Sequence, residues 1–545
     1  MWGMKKIMTF FAAAAAALML SSASVNAQSG DFKLGKWIET TRAILEELNS
    51  NYVDSLPIDR MSKAGIESML EQLDPYTIFV PEEETENFQM SLGRVYGGIG
   101  AIIYKPEKDG YVIINEPYAG SPAAKSGLRC GDEIMEIDGA TTLGLEAAQA
   151  SERMKGKPGS KVLFKVKNGL TGEIKDIEVV RERIHIPDIE HVGMLNDTTG
   201  YILQTGFTEN VAKNLKIQYA FLKAKGMKRF ILDLRGNGGG LMAEAVKIVS
   251  LFVPKGSLVV SQKGRDDNSY VDYKTTSDPI DLETPIVVLV DGGTASSAEI
   301  VSGALQDLDR AVIMGKRTYG KGLIQVVKPL PYNNQLKVTI AKYYTPSGRC
   351  VQAIDYTKRN EDGSVGHIPD SLTHEFKTLK LGRTVRDGGG ITPDVTLPSY
   401  PYSRLVYSLV LNNIIEQYTI DYLKKHKSIA PVDDFHFDAE FEDFVAFAKD
   451  KKFDHRSSAM ALLDQMKSDL EKDGLAEKAS SQLAALEKAL EISKEDFLRL
   501  KKDEIIPWIE EEIAVRYYYQ SAGIKVRLRY DRQVFDALAA DWTIK

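Results

Sequence analysis

Two short segments carry residue types that could perform acyl-transfer chemistry together. Asp291-Gly-Gly-Thr-Ala-Ser-Ser-Ala-Glu299 places a serine, Ser296, after a double-glycine turn. Thr318-Tyr-Gly-Lys-Gly-Leu-Ile-Gln325 places Lys321 between two glycines, 25 positions after that serine. A serine hydroxyl is a weak nucleophile until a neighbouring base takes its proton. Histidine is the usual base, and the chain has seven: His185, His191, His367, His374, His426, His436 and His455. None sits in a recognisable triad segment, and neither a G-x-S-x-G elbow nor an H-E-x-x-H zinc site occurs. Histidine scarcity does not exclude a triad, and Lys321 is the other candidate base. Taken singly, each segment has a plainer reading. Ser296, like Thr294 or Ser297, could cap a helix, and Gly-Lys-Gly could hold an anion, although the full P-loop pattern is missing.

Leu323, Ile324, Val326 and Val327 follow Lys321, and apolar surroundings favour a neutral amine. To act near pH 7 a lysine pKa must fall from about 10.4 by roughly 3, which is about 4 kcal/mol of destabilised charge. If this segment is a strand, Lys321, Leu323 and Gln325 share a face. On a straight strand the Cα atoms of Lys321 and Gln325 would be about 13 Å apart, so contact needs converging side chains or a bend. A third segment, Asp233-Leu-Arg-Gly-Asn-Gly-Gly-Gly-Leu241, reads as a strand end and a glycine-rich turn entering a helix. Such a turn can point N–H groups at a developing oxyanion. A nucleotide site is the rival, but G-x-G-x-x-G is absent.

These residues need a scaffold. Strand-like runs (200–203, 230–234, 286–290, 311–314) alternate with helical spacing at 211–224 and 241–252, so residues 187–400 read as an α/β sheet domain with crossover helices. Ser296 falls at the turn from the 286–290 strand into a helix carrying Ile300, Val301, Ala304 and Leu305. Residues 31–92 are predicted helical from the spacing of Trp37, Thr41, Ile44, Leu45 and Leu48 and of Ile66, Met69, Leu70 and Leu73, with Leu73-Asp-Pro-Tyr76 as the stop. Residues 402–545 are predicted helical and charged, with stripes at Leu483, Leu486 and Leu490 and at Ile506, Ile509 and Ile513, and a cap at Ser493. That region reads as a bundle packed on itself or the core; a surface for homo-oligomer formation is the alternative.

Residues 93–184 change texture to short β-runs punctuated by glycine. Gly120-Ser-Pro-Ala-Ala-Lys-Ser-Gly-Leu-Arg-Cys-Gly-Asp-Glu-Ile134 and Ile137-Asp-Gly139 resemble a PDZ domain. In that family a glycine-containing loop presents N–H groups to a peptide's terminal carboxylate while the peptide adds along a sheet edge. The matching loop is Gly97, Gly98, Ile99 and Gly100. A small β-domain without a ligand would need the same glycines only for turns.

Lys5 and Lys6, an apolar run at 7–20 and Val25-Asn-Ala27 predict a signal peptide over residues 1–27. The run is short for a spanning helix, which takes about 20 residues, and no later segment is apolar enough for one. The net charge of −7 speaks against a nucleic-acid partner. The two cysteines, Cys130 and Cys350, fall in different predicted domains, so free thiols are expected.

Leu73-Asp-Pro75, the PDZ-like segment, Asp233-Leu-Arg-x-Asn-x-Gly-Gly239, Gly293-Thr-Ala-Ser296, Gly320-Lys-Gly-x-x-x-Gln325 and Gly388-Gly-Gly-Ile-Thr-Pro-Asp394 occur in this order over residues 40–398. With them the chain resembles the C-terminal processing peptidases, also called tail-specific proteases. The resemblance implies a multidomain α/β protein: a ClpP/crotonase-like catalytic core, an inserted PDZ domain and helical regions at both ends. It implies a serine endopeptidase with Ser296 as nucleophile, Lys321 as general base and Gln325 orienting the lysine. The backbone N–H groups of Ser297 and of Gly238 or Gly239 would form the oxyanion hole. Neither a metal nor a cofactor is implied, and the partners would be proteins with free C-termini. With the leader, the expected location is a bacterial periplasm, soluble or peripherally held. One departure stands out: Ser296-Ser-Ala-Glu299 replaces the family's Ser-Ala-Ser-Glu, which leaves Ser297 as a rival nucleophile. A catalytically inactive tail-binding or chaperone-like relative is the alternative function.

Overall fold

The computed structural model describes residues 31–105, 109–360 and 362–544. The expected leader, residues 1–27, lies outside them. The described residues divide into two compact units, 31–79 and 80–544. In the first, residues 31–51 and Ile58–Leu70 are helical. Their apolar stripes stay exposed, Trp37, Ile44 and Met69 included. Asp74 ends this region by accepting the N–H groups of Tyr76 and Thr77, each at 2.9 Å. The helical reading of 31–92 is corrected here. A short strand, Ile78–Val80, and a 3-10 turn, Glu82–Glu84, precede the last helix, Thr85–Leu92.

The second unit opens with that 3-10 turn and the Thr85–Leu92 helix and continues as a β-rich layer: β1 (Val95–Gly98), β2 (Ala101–Tyr104), β3 (Val112–Pro117), β4 (Glu133–Ile137), helix α1 (Ala147–Met154), β5 (Lys161–Lys167), β6 (Ile174–Val180) and β7 (Glu182–His185). Strands β2 to β6 pair antiparallel in chain order. Val112, Ile114, Val162, Phe164 and Val166 alternate with more exposed neighbours and are buried, the period of two that a one-sided sheet requires. β1 pairs antiparallel with β7, Val95 opposite His185 and Gly98 opposite Glu182, so the chain enters and leaves this layer side by side. β2 is an edge strand, bonded only to β3.

The α/β layer follows: β8 (Ile189–Met194), β9 (Thr199–Gln204), α2 (Val211–Ala224), β10 (Arg229–Asp233), α3 (Met242–Ser250), β11 (Leu258–Gly264), β12 (Val271–Lys274), β13 (Ile286–Val290), α4 (Ser297–Asp307), β14 (Val312–Gly315), β15 (Leu323–Pro329), β16 (Gln335–Tyr344) and β17 (Val395–Thr396). The main sheet has six strands in the order β8-β9-β10-β13-β14-β17, parallel except for β8. A parallel sheet must be covered on both faces. One face, with Ile202, Leu232, Val288 and Ile313, packs on α2, α3 and α4. The other, with Tyr201, Ile231, Val287 and Met314, packs on Ile524, Leu528, Val534 and Ala537. Those last residues belong to the helices α7 (Gln520–Tyr530) and α8 (Arg532–Ala539) near the end of the chain, preceded by α5 (Ile414–Lys425) and α6 (Lys502–Tyr518).

The C-terminal region also has a core of its own, in which Ile506, Ile509 and Ile513 meet Leu409, Tyr418 and Phe444. Ser493 caps its helix through Asp496 N–H. The stripe at Leu483, Leu486 and Leu490 contributes no buried residue. Cys130 and Cys350 are free thiols. Among the described residues no helix is long and apolar enough to cross a membrane.

Candidate active site

β13 runs into a turn held by Asp291, whose Oδ1 accepts Gly293 N–H and Thr294 N–H and also Gly236 N–H of the third segment, at 2.9, 3.1 and 2.9 Å. Ser296 follows, just before α4, with φ 57° and ψ −118°. That backbone is unfavourable for a residue with a Cβ, by about 1–3 kcal/mol, and such conformations collect at functional turns. The room for it comes from another segment. A Cβ on Gly239 would lie 2.8 Å from Ser296 Cβ and 2.8 Å from Ser297 N, so only glycine fits there. In its own segment Thr294 and Ala298, not glycines, stand two residues either side of the strained serine.

The three hydroxyls of this turn are used differently. Thr294 Oγ1 donates to Leu234 O at 2.8 Å and is buried; Ser297 Oγ donates to Gly240 O at 2.8 Å and is buried. Ser296 is partly exposed at the start of the helix. Ser297 N–H is the first of α4, among those a helix leaves without an internal acceptor, and it faces Gly239. Gly239 N–H is donated to Asn237 Oδ1 at 2.9 Å.

Lys321 lies in the loop between β14 and β15 and is partly buried. A Cβ on Gly320, which has φ +85°, would fall 2.4 Å from Ala353 Cβ, and one on Gly322 would fall 2.8 Å from Gln352 N. The two glycines therefore let residues 352 and 353 close over this loop, and Gln352 Oε1 accepts Gly322 N–H at 2.7 Å. The shared-face geometry expected for Lys321 and Gln325 is corrected on two counts. The strand begins only at Leu323, and a register shift falls between Ile324 and Gln325. Alternation from Lys321 to Gln325 therefore does not apply. Gln325 is partly buried and donates Nε2 to Thr339 Oγ1 on β16 at 3.1 Å.

The serine and lysine segments are joined by Glu299, a fully buried side chain. Its Oε2 accepts Ser296 N–H at 2.9 Å and Lys321 N–H at 2.8 Å. Its Oε1 accepts Gly320 N–H at 2.7 Å and the Thr318 hydroxyl at 2.5 Å. One oxygen that takes both N–H groups keeps the Ser296 and Lys321 nitrogens within about 6 Å of each other. Burial pushes the Glu299 pKa up, and the four donors oppose this. Tyr319 N–H also bonds Thr294 O at 3.0 Å. No role for Glu299 was expected from the sequence. The Ser-x-x-Glu spacing of a capping box was the available signal.

In the β-rich layer a cavity of about 180 Å³ is lined by Gly98, Ile99, Gly100, Ile103, Met154 and Lys155, between β2 and α1. Gly97 and Gly98, expected in a loop, are instead the end of β1, paired with Arg183 and Glu182. Only Ile99 and Gly100 connect to β2. The cause is close approach: a Cβ on Gly97 would lie 2.2 Å from Gly156 O, and Gly156 N–H bonds Gly97 O at 3.0 Å.

The profile of peptidase family S41 matches residues 198–358, that of a PDZ domain 113–168, and that of the probable PDZ-protease C-terminal helical domain 405–540. The carboxy-terminal processing protease CtpA of Bacillus subtilis is 30% identical over 408 residues, covering 73% of this chain and 82% of that protein. The chain belongs to peptidase family S41. It is a C-terminal processing peptidase, a serine-type endopeptidase carrying a PDZ domain. A probable CtpA-like serine protease of Staphylococcus aureus is 32% identical over 354 residues, covering 62% of this chain and 69% of the relative. Among solved structures, the photosystem II D1 C-terminal processing protease is 27% identical to this peptidase, covering 66% of this chain and 92% of its own, with a TM-score of 0.37. The S41 match spans the Asp233 turn, Ser296 and Lys321.

Proposed function

We propose that this S41 peptidase cleaves peptide bonds with a Ser296/Lys321 dyad and selects substrates by their C-terminal tails. The observation that carries the dyad is the Glu299 carboxylate, which takes the N–H groups of both residues on one oxygen. Neutral Lys321 removes the Ser296 proton as Oγ attacks the substrate carbonyl carbon. The oxyanion accepts N–H bonds from Ser297 and from the glycine turn. Since Gly239 N–H is donated to Asn237, Gly238 is the better-supported second donor. Lys321 then gives its proton to the leaving amine, and water, deprotonated by the same lysine, releases the acyl group. Gln325, with its amide nitrogen donated to Thr339, offers its carbonyl oxygen to orient the lysine. Ser297 as nucleophile is disfavoured because its hydroxyl is buried against Gly240 O.

The open edge of β2 and the adjoining apolar cavity support docking of a tail as an added strand, its carboxylate at Ile99 and Gly100. The division of labour follows: residues 93–184 hold the tail, 187–400 cut, and 402–545 brace the sheet. The residue pattern over 1–27 supports export, to a periplasm in a bacterial cell.

Purified wild-type protein, Ser296→Ala and Lys321→Ala, incubated with an unfolded substrate and with copies differing only in their last residues, test this. Cleavage by wild type alone, varying with the tail, is expected. Equal cleavage by all three proteins would refute the dyad and leave the inactive tail-binding reading.

A further inference from the structure

The C-terminal helical region meets the catalytic layer through an ionic contact as well as the apolar one. Arg235 sits in the glycine turn, one residue before Gly236. On one side Asp233, at the end of β10, accepts Arg235 Nε at 3.0 Å and Nη2 at 2.5 Å. Asp233 is itself fixed by the Tyr201 hydroxyl at 2.7 Å. On the other side Asp531, between α7 and α8, accepts Nη2 at 2.7 Å and Nη1 at 3.3 Å, and Gln533 Oε1 accepts Nη1 at 3.1 Å. All of these groups are largely buried: the side chains of Arg235, Asp531 and Asp233 are 18%, 15% and 1% exposed. A guanidinium gripped by two carboxylates in planar, paired geometry is held in place as well as in charge.

The turn beyond Arg235 is held on its inner side by the nucleophile segment. Gly236 N–H bonds Asp291 Oδ1 at 2.9 Å, and Ala295 N–H bonds Asn237 O at 2.9 Å. Gly239 then lies against Ser296 and Ser297. The turn is thus clamped between the serine loop and Asp531.

We propose that Asp531 is a positioning residue for catalysis: through Arg235 it sets where the glycine turn stands relative to Ser296. This rests on the reading of that turn as one wall of the oxyanion hole. Asp531 touches no reacting atom. Without it Arg235 keeps Asp233 and the single bond to the neutral Gln533 amide, and the turn can shift away from the serine. Losing an oxyanion donor outright costs about 10²–10³ in kcat, so a loosened one is expected to cost about 10-fold.

Asp531 has a second task, which the test must separate. Its Oδ1 also accepts Val534 N–H at 3.1 Å and caps α8. Serine caps a helix as well as aspartate does but is too short to pair with Arg235. Asp531→Ser therefore keeps the cap and removes the clamp. Tyr400→Phe is the control for docking in general, since the Tyr400 hydroxyl bonds Asp536 of α8 at 2.7 Å and touches nothing in the turn.

The experiment measures kcat and KM on a tailed peptide, together with affinity for a peptide boronic acid that becomes tetrahedral on the serine. Asp531→Ser is expected to lose about 10-fold in kcat and a similar factor in boronate affinity, with KM within about twofold, because only the transition state uses the turn. Tyr400→Phe is expected to match wild type. The inference is overturned if Asp531→Ser keeps wild-type kcat, or if Tyr400→Phe loses as much. If Asp531→Ser does not fold, Asp531→Thr, which also caps a helix and is also too short to pair with Arg235, takes its place under the same criteria. Failure of the underlying reading looks different: wild type itself would show no Ser296-dependent boronate binding, and the inference would fall with it.

Discussion

Glu299→Gln is the sharpest perturbation of the proposed site. The carboxylate has four donors, two on each oxygen. Glutamine keeps one oxygen and replaces the other with an NH2 group, which cannot accept. Either Ser296 and Lys321 or Thr318 and Gly320 then lose their acceptor. Leaving two such donors, N–H or O–H, unpaired costs about 1–3 kcal/mol each, hence about 2–6 kcal/mol if nothing moves. The structure can relax only by letting the two loops separate, and a displacement of about 1 Å at reacting groups costs on the order of 10²-fold in rate. We expect kcat to fall about 100-fold, with KM little changed because the tail groove is untouched. The melting temperature should drop by about 2–4 °C per kcal/mol not recovered. Steady-state kinetics on a quenched fluorescent peptide and scanning calorimetry measure the two. Wild-type kcat and an unchanged melting temperature in Glu299→Gln would refute the argument that this carboxylate holds serine and lysine together.

Gly239→Ala places a methyl group 2.8 Å from Ser296 Cβ and Ser297 N, so kcat should fall by about 10²-fold or more, read in the same assay. Ile103→Lys puts a charge in the groove between β2 and α1. Tail-peptide affinity by calorimetric titration should fall at least about 10-fold, as expected for a lost apolar anchor, while the melting temperature holds. A pH effect is expected where β3 meets α5 and α6. Burial raises Glu416 to about 7 and Glu116 to about 6, even with Arg516 beside both and Gln520 donating to Glu116. Tyr104, Cys130 and Glu512 complete this cluster. Both carboxyl groups bind protons more tightly folded than unfolded, so their contribution is full below the ordinary glutamate value of 4.5 and is lost as pH rises through 6 to 7. Glu416→Gln should therefore gain several degrees in melting temperature over wild type near pH 8 and little near pH 4. An equal difference at both values would contradict this.

Much of the architecture was legible from local pattern. The alternation of apolar runs and helical spacing located β9, β10, β13, α2 and α3, because one-sided or buried segments must repeat their apolar residues with the period of the backbone. The position of Ser296 at a strand-to-helix turn was legible for the same reason. Its strain was not, since the glycine that accommodates it, Gly239, lies 57 residues earlier. The relation of Lys321 to Gln325 was not legible, because the shared face held only for an unbroken strand through both, and the strand starts at Leu323 with a register shift before Gln325. Gly97 was misplaced because its need for glycine comes from Gly156 across a gap, not from its own turn.

The sequence alone therefore determined which residues could do chemistry, most of the strands and helices of the α/β layer, and the family to which the chain belongs. It did so because local conformation and side-chain chemistry are written at the positions themselves. Only the tertiary structure decided that Glu299 ties the two loops together, that Ser297 spends its hydroxyl on Gly240, and that Asp531 grips Arg235 from nearly 300 residues away. It also decided that α7 and α8 cover the second face of the sheet. An apolar face or a buried donor declares in sequence that it needs a partner. Which segment supplies the partner depends on what the folded chain brings beside it.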